Sequence, residues 1–394
     1  MAALDVTAER QAMEAGLEES HQQARSYRSP YERWKASQGL PTIRAFSVPN
    51  VYDVELTPWE ARGGSGVFIN LDGSAGFNDS YVYELRPKES SAPIKHIYDE
   101  LVFVLQGHGA TTIWSDEKKK QTFEWRKGSY FAIPPNASHQ FFNLSGEEPA
   151  RYFAMTAAPR VIDTFKNLDF IFNNPYRFDD RFNDDDGYFH EAERLAGRGE
   201  WKTNFIADVW SFVGAQRASA EEVAERARAG LTTVRGSVGA EGGGRQVAFV
   251  NGTVRCGIAF GSQPGVHTAF HRHGPGIHVM TIGGHGYSLL RGPEGGDFRR
   301  VDWGPGTIFV PPEMWWHAHF NTGPEPWDWL RIGWGTDKPK PGGGQYDYTR
   351  SPIDGGDQIP FEEDARSIHQ EFEEELRRKG VADLMFHHPH CALK

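Results

Sequence analysis

The sequence contains one pair of motifs twice, in the same order, and this internal repeat constrains the fold more than any other feature. Residues Glu100–Gly109 (ELVFVLQGHG) align without a gap with Ile277–Gly286 (IHVMTIGGHG). Further along, two sets of residues share one spacing: Gly128, Pro134, His139 and Asn143 in the first copy, and Gly306, Pro312, His317 and Asn321 in the second. Spaced motifs that recur in order indicate two tandem copies of one domain.

The residues around both copies predict β-strands. The runs Ser80–Leu85, Leu101–Leu105 and Tyr152–Met155 are rich in β-branched and aromatic residues, and Gly, Pro and Asn separate such runs. This pattern is typical of antiparallel barrels. We therefore predict a fold dominated by β-strands, with one barrel at 61–160 and another at 236–338.

The segment before the first barrel has helical signals. Thr7 can cap one helix, and Ser29–Glu32 carries a capping box with Pro30 at the first helical position. We predict that residues 1–60 form a helical N-terminal arm.

The segments after each barrel also have helical signals. Residues 161–235 are predicted to be a linker with a helix that begins at Ser219, where a capping box recurs. Residues 339–394 are predicted to be a tail with a charged helix at 361–378, because Gly380 lies just beyond it as a C-terminal stop signal.

Net charge and cysteine content limit the classes of binding partner and the cellular compartment that we expect. The formal net charge is −11 and no Lys/Arg-rich run occurs, which argues against nucleic acid and anionic membrane surfaces as partners. No apolar run has the length of a transmembrane helix, and the N-terminus lacks the apolar core of a signal peptide. The two cysteines, Cys256 and Cys391, do not make a disulfide framework. We expect a cytoplasmic protein that acts on a small molecule.

Three histidines in the second copy predict a metal site. His271 and His273 are two positions apart, so on a strand both imidazoles point to the same face and can reach one ion. His317, in the second motif, supplies a third imidazole from a later strand.

Both motifs resemble the paired signatures of the cupin superfamily, Gly-x5-His-x-His-x3–4-Glu-x6-Gly followed by Gly-x5-Pro-x-Gly-x2-His-x3-Asn, and the chain looks like a bicupin. The resemblance implies two double-stranded β-helix (jelly-roll) barrels. It also implies that two His, one Glu and the His of the second motif converge on one divalent metal ion in a barrel, and that the protein is a homo-oligomer.

In the second copy the Glu position falls on Ile277 or His278, so a carboxylate is missing. The remaining set, His271, His273 and His317, resembles the three-histidine site of gentisate and salicylate dioxygenases. That resemblance implies Fe(II), an aromatic substrate that binds through two oxygens, and dioxygen as the second substrate.

In the first copy Ile94 takes the first His position, which leaves His96, Glu100 and His139 as candidate ligands. A set of two histidines and one carboxylate is the facial triad of non-haem Fe(II) oxygenases. Its spacing also resembles that of hydroxypropylphosphonate epoxidase.

Further residues are candidates for catalysis in the second barrel. We predict His278 as a base or hydrogen-bond donor, and Arg291 or Arg331 as a clamp for a substrate carboxylate. His319 is either an outer neighbour of the metal ligands or a histidine at the barrel rim. The C-terminal group His387, His388, His390 and Cys391 is expected to be a frayed tail.

These observations leave three functions open. The first is an Fe(II)-dependent dioxygenase in which His271, His273 and His317 hold the metal ion. The second is an isomerase, lyase or decarboxylase that uses Mn or Zn as a Lewis acid, and Ni or Cu is also compatible with the ligands. The third is a binding or storage protein without activity. The sequence does not decide which barrel carries the chemistry.

Overall fold

The computed structural model describes residues 28–195, 200–214, 244–333, 343–344, 346–348, 350–385, 388–389 and 391. Strands dominate these residues, as the sequence predicts. The helices predicted near Thr7 and Ser219 lie outside the described residues.

The described residues of the first half form one helix, eleven strands and two further short helices. In chain order they are α1 (Pro30–Ser37), β1 (Thr42–Ala45), β2 (Ser47–Val48), β3 (Thr57–Pro58), β4 (Ser65–Leu71), β5 (Asp79–Leu85), β6 (Glu100–Gln106), β7 (His108–Trp114), β8 (Gln121–Arg126), β9 (Tyr130–Ile133), β10 (Ser138–Asn143), β11 (Ala150–Thr156), α2 (Ala158–Phe165) and α3 (Leu168–Phe172). The hydroxyl of Ser29 accepts a hydrogen bond from the backbone N–H of Glu32, so the predicted cap of α1 is present.

The described part of the second half repeats this pattern. In chain order it has β12 (Ala192–Leu195), β13 (Glu200–Thr203), β14 (Phe205–Ile206), α4 (Val209–Gly214), β15 (Gly244–Phe249), β16 (Val254–Ser262), β17 (Val266–His267), β18 (His278–Gly283), β19 (Gly286–Arg291), β20 (Arg299–Trp303), β21 (Ile308–Phe309), β22 (Trp316–Asn321), β23 (Trp327–Ile332) and α5 (Arg366–Lys379). Short 3₁₀ turns lie at Asp72–Ser74, Pro352–Asp354 and Phe361–Glu363.

Each barrel is made of two sheets. The first combines an eight-stranded sheet, in the order β1-β4-β5-β11-β6-β9-β14 with β3 beside β4, and the three-stranded sheet β10-β7-β8. The second combines β12-β13-β15-β16-β23-β18-β21-β2 with β17-β22-β19-β20. In this order β11-β6-β9 of the first barrel corresponds to β23-β18-β21 of the second, so the sequence repeat is a repeat of structure.

Two pairs of short strands join the barrels reciprocally. Strand β1 pairs with β4 of the first barrel, and the next strand, β2, crosses to β21 of the second. Strand β13 pairs with β15 of the second barrel, and the next strand, β14, crosses to β9 of the first. The predicted helical arm is therefore wrong in part, because residues 42–48 are mainly strand. Each crossing strand covers a sheet edge that would otherwise expose unpaired backbone groups.

The faces of β6 explain why its sequence is almost continuously apolar. Val102 and Val104 belong to the core inside the first barrel, whereas Leu101 and Phe103 belong to a core that both barrels share. In the second barrel, Met280 of β18 belongs to that same shared core. A strand buried on both faces needs apolar residues at consecutive positions.

The repeated His-Gly sequence has a packing reason. A Cβ atom at Gly109 would lie 2.2 Å from the carbonyl oxygen of Phe142 and 2.3 Å from the ring of Trp125. A Cβ atom at Gly286 would meet Phe320 and Trp303 in the same way, at 2.0 and 2.5 Å. Glycine is needed at both positions because the neighbouring strand and a tryptophan ring fill the space of a side chain.

The C-terminal helix α5 covers the outer face of the second barrel. Phe372 packs on Phe320 of β22, with ring centroids 5.6 Å apart, and Leu376 belongs to the same buried cluster. The helix ends at Gly380, whose φ of +69° is the left-handed conformation predicted for its C-terminal cap.

Candidate metal centres

The first barrel brings together the three ligands predicted for it. His96 lies just before β6, Glu100 is the first residue of β6, and His139 is on the neighbouring sheet, in β10. Their donor atoms lie within 4.8 Å of one another, and all three side chains are buried, each at most 2% exposed.

Hydrogen bonds orient both imidazoles toward this centre. Nδ1 of His96 lies 2.8 Å from the carbonyl oxygen of Tyr98, and Nδ1 of His139 lies 3.3 Å from that of Ala137. A carbonyl oxygen only accepts, so Nδ1 carries the proton and Nε2 has the lone pair. Both Nε2 atoms are buried and have no hydrogen-bond partner among the described residues. This is the arrangement in which histidine binds a metal ion.

Burial also keeps these histidines neutral. It lowers the pKa of His96 to about 4 and holds the pKa of His139 well below its ordinary value. Neutral imidazole is the form that ligates a metal ion, so at neutral pH both side chains are ready to bind one.

A buried arginine that the sequence interpretation missed lies beside the carboxylate. Nη2 of Arg62 is 3.4 Å from Oε1 of Glu100, and Nη1 donates a hydrogen bond to the hydroxyl of Tyr81 at 2.6 Å. The guanidinium also lies over the rings of Trp59 and Tyr83. Arg62 precedes both motifs, so their spacing gave no signal for it.

These groups form one wall of a cavity of about 190 Å³. Arg62, His96 and Glu100 supply the polar wall, and the other walls are mainly apolar, with Trp34 of α1 and Phe172 of α3 among them. A dry cavity of ~150 Å³ holds a benzene molecule. The first barrel therefore has space for a small ring or a short-chain acid next to the candidate ligands.

The second barrel has a different set of close donors from the one predicted. Donor atoms of His271, His317 and His319 lie within 4.8 Å of one another. His273 is close to His317, with ring centroids 4.7 Å apart, but its ring is 6.0 Å from that of His271. His319 thus joins the group and His273 lies at its edge, because β22 presents His317 and His319 on one face.

Backbone carbonyl oxygens orient His271 and His317 of the second group as in the first, and burial keeps the whole group neutral. Nδ1 of His271 and Nδ1 of His317 lie 3.1 and 2.9 Å from backbone carbonyl oxygens, and Nδ1 of His319 lies 2.7 Å from the hydroxyl of Ser288. Burial lowers the pKa of His271 to about 3 and that of His273 to about 4, and holds those of His317 and His319 well below the ordinary value. Four neutral imidazoles therefore surround this position.

Two of the predicted catalytic residues point away from this group. His278 shares a strand face with Met280 in the core between the barrels, and its ring lies 6.2 Å from that of Phe153 in the first barrel. Arg291 lies with its guanidinium over Phe298, at 4.6 Å, on the outer face of the sheet. The predicted catalytic roles of His278 and Arg291 are therefore wrong. Side chains alternate along a strand, and these two lie on the faces directed away from the histidine group.

Arg331 is on the correct side of the barrel. Its positive charge adds to the effects of burial and of His273 in lowering the pKa of His271. The ring of Tyr348 lies 6.2 Å from that of His271. Arg331 and Tyr348 are therefore two polar side chains that lie near His271 in the second barrel.

The expectation of a frayed C-terminus is wrong for the part of it that is described. His388 is fully buried and Cys391 is 5% exposed. His387 and His390 lie outside the described residues.

Comparison with known protein families finds a match in the first barrel. Residues 81–156 match the cupin domain family, and the second barrel repeats the strand order of the first. The cupin resemblance is thereby confirmed, and the chain has the fold of a bicupin with two candidate metal centres.

Solved structures similar to this chain include two oxalate decarboxylases. The enzyme of Lactobacillus farciminis, in a formate complex, is 14% identical, with a TM-score of 0.44 over 73% of this chain and 85% of that one. The enzyme of Bacillus subtilis, described for its Mn(II) centres, is 16% identical, with a TM-score of 0.44 over 73% of this chain and 76% of that one. No curated protein sequence matches the chain significantly. Within the described residues, no helix is both long and apolar enough to span a membrane.

Proposed function

We propose that the protein is a metal-dependent enzyme that converts a small oxygenated substrate in the first barrel. One observation carries the proposal: the buried, unshared Nε2 atom of His96 and the carboxylate of Glu100 lie in the wall of the same cavity as the guanidinium of Arg62. His96, Glu100 and His139 form a donor set that suits a divalent ion, Fe(II) above all. The second barrel, with its larger histidine group, is proposed as a further metal centre.

We favour dioxygenase activity, because two histidines and one carboxylate leave open positions for both a substrate and dioxygen. A bound Fe(II) ion would supply the redox chemistry. The protein would supply the rest: Arg62 binds an anionic oxygen of the substrate, since guanidinium recognises carboxylates in a bidentate manner. Trp34 and Phe172 contribute apolar walls beside the substrate position.

A decarboxylase or other lyase is the second candidate, and the Arg62–Glu100 pair favours it. Arg62 can bind a substrate carboxylate, while the carboxylate of Glu100 can accept or return a proton beside it. With Mn or Zn as a Lewis acid, such a reaction needs no net oxidation.

The test is to supply candidate aromatic and short-chain acids to the metal-loaded protein while dioxygen uptake and carbon dioxide release are both measured. Stoichiometric oxygen uptake supports the dioxygenase, and carbon dioxide release without oxygen uptake supports the lyase. Binding without turnover of any substrate would indicate a binding protein instead.

Two variants locate the reaction. His139→Ala removes a ligand from the first barrel and His317→Ala removes one from the second, and the two residues have equivalent positions in the repeat. We expect activity to be lost in His139→Ala and retained, at least in part, in His317→Ala. Loss of activity in His317→Ala with activity retained in His139→Ala would show that the reaction takes place in the second barrel.

A further inference from the structure

A third group of metal-binding side chains lies outside both barrels, where the C-terminal segment meets helix α5. It consists of His369 and Glu373 on α5, and Asp383 and Cys391 on the segment that follows. One donor atom from each lies within 4.8 Å of the others. His369 and Glu373 are four residues apart, so both project from the same face of the helix.

The distances within this group fit tetrahedral coordination. Nε2 of His369 is 3.5 Å from Oε1 of Glu373 and 3.4 Å from Oδ2 of Asp383. Sγ of Cys391 is 3.4 Å from the same Oδ2 atom. Ligands bound to zinc at their usual bond lengths are ~3.3–3.8 Å apart along the edges of a tetrahedron. Three of the six edges therefore already have the spacing that zinc imposes, and the other three are at most 4.8 Å long.

A chain of hydrogen bonds directs the lone pair of His369 into this group. Nδ1 of His267 lies 3.1 Å from the carbonyl oxygen of Thr268, which only accepts, so this nitrogen carries a proton. Nε2 of neutral His267 then accepts from Nδ1 of His369, at 3.2 Å. Nε2 of neutral His369 is therefore left with a lone pair that faces two carboxylates.

That arrangement is unfavourable without a cation. His369 is fully buried, and its Nε2 has no hydrogen bond to any described residue although two carboxylate oxygens are near. A buried lone pair next to buried anionic oxygens must be compensated by a proton on the imidazole or by a metal ion. The thiol of Cys391 is a further ligand of the kind that zinc prefers.

We propose that His369, Glu373, Asp383 and Cys391 form a structural zinc site that fixes the C-terminal segment to α5. Binding releases the thiol proton of Cys391 to solvent, because the thiolate is the ligand. The site reaches the second barrel through the hydrogen bond from His369 to His267 of β17. Since four protein donors fill a tetrahedral shell, no position is left for a substrate.

Cobalt substitution of the full chain tests this site independently of the barrels. The protein is freed of metal with a chelator and titrated with Co²⁺ while the near-ultraviolet spectrum is recorded. The candidate barrel ligands are nitrogen and oxygen donors, so only the third site gives a thiolate-to-cobalt charge-transfer band. Because the barrels can also take up Co²⁺, we expect the band at saturation to have the intensity of one cobalt–thiolate centre per chain, and Zn²⁺ to abolish it.

Matched variants test whether the charge-transfer band comes from the proposed zinc site. Cys391→Ser and His369→Gln should remove it, whereas Cys256→Ala, at the other thiol, and Glu374→Gln, an exposed neighbour on α5, should retain it. Absence of the band in the wild-type protein overturns the proposal and leaves a protonated His369 paired with the carboxylates. Because the wild-type titration needs no variant, it remains decisive even if one of the variants fails to fold. A failure here also leaves the proposed function of the first barrel untouched.

Discussion

Arg62 and Glu100 form a buried ion pair in the first barrel, with Nη2 and Oε1 3.4 Å apart and side chains only 6% and 2% exposed. The pair has two consequences. It compensates the charge of Glu100 before any metal ion binds, and it brings a cation to the substrate cavity. In the proposed metal site, Glu100 would therefore be shared between the metal ion and Arg62.

Arg62→Met should destabilise the metal-free protein. Removing one partner of a buried ion pair leaves the other charge uncompensated, which costs about 3–5 kcal/mol. A divalent metal ion can take the place of the guanidinium, so we expect added metal to restore much of the lost stability. Denaturant unfolding with chelator and with metal measures both effects.

The control for this variant is Arg44→Met, which removes an exposed ion pair to Glu32. Exposed pairs contribute about 0–1 kcal/mol, so stability should change little. If Arg62→Met were equally mild, or if metal gave no recovery, Glu100 would not be the shared group that we infer.

The metal content of the first barrel should depend on His139. We expect His139→Ala to lose about one equivalent of metal per chain, measured by elemental analysis after loading and desalting. His278→Ala is the matched control, since His278 is also fully buried with an Nε2 atom that has no hydrogen bond in the described structure. It belongs to none of the groups of metal-binding side chains found among the described residues, so metal content should stay unchanged. Equal losses in both variants would point to general unfolding.

Two variants decide which histidine completes the second centre. We expect His319→Leu to weaken metal binding by more than the ~10–100-fold effect of losing an outer-shell partner, and His273→Leu to have the smaller effect. Isothermal titration of the metal-free variants gives both affinities. A larger loss in His273→Leu would restore the set that the sequence predicts, with the ring of His273 moving toward His271.

The repeat predicted the fold because its spacing follows from strand geometry. Gly109 and Gly286, for example, cannot be replaced by another residue, because a tryptophan ring fills the space of a side chain at each position. The same spacing led to His96, Glu100 and His139, which the structure brings together. The spacing within the motifs was therefore sufficient to predict that these three residues lie together.

Contacts between distant parts of the chain were not predictable in this way. Arg62 lies before β4 and meets Glu100 at the start of β6, 38 residues further along the chain, and no motif encodes that contact. His278 was predicted as a base or hydrogen-bond donor in the second barrel because alternation fixes which residues share a face but not which face is inside. The buried C-terminal residues were missed because burial of a tail depends on the surface that receives it.

The last prediction concerns the effect of pH on stability, through Asp99. Burial raises the pKa of this carboxyl to about 6, although the charges of Arg181 and Arg160 oppose the shift. Below about pH 4 the group is protonated in both the folded and unfolded states and has no effect. As pH rises from about 4 to about 6, the unfolded chain ionises first, so stability falls, and above about pH 6 the full penalty remains.

Asp99→Asn should therefore stabilise the protein by about 1–3 kcal/mol above pH 6, since the amide has no charge to desolvate, and by little near pH 4. Denaturant unfolding of wild type and variant at several pH values measures the difference. The control Asp297→Asn, at an exposed position, should give no such dependence. A difference between Asp99→Asn and wild type that stays constant from pH 4 to pH 7 would contradict the raised pKa, because only a titration in that window can make the gain depend on pH.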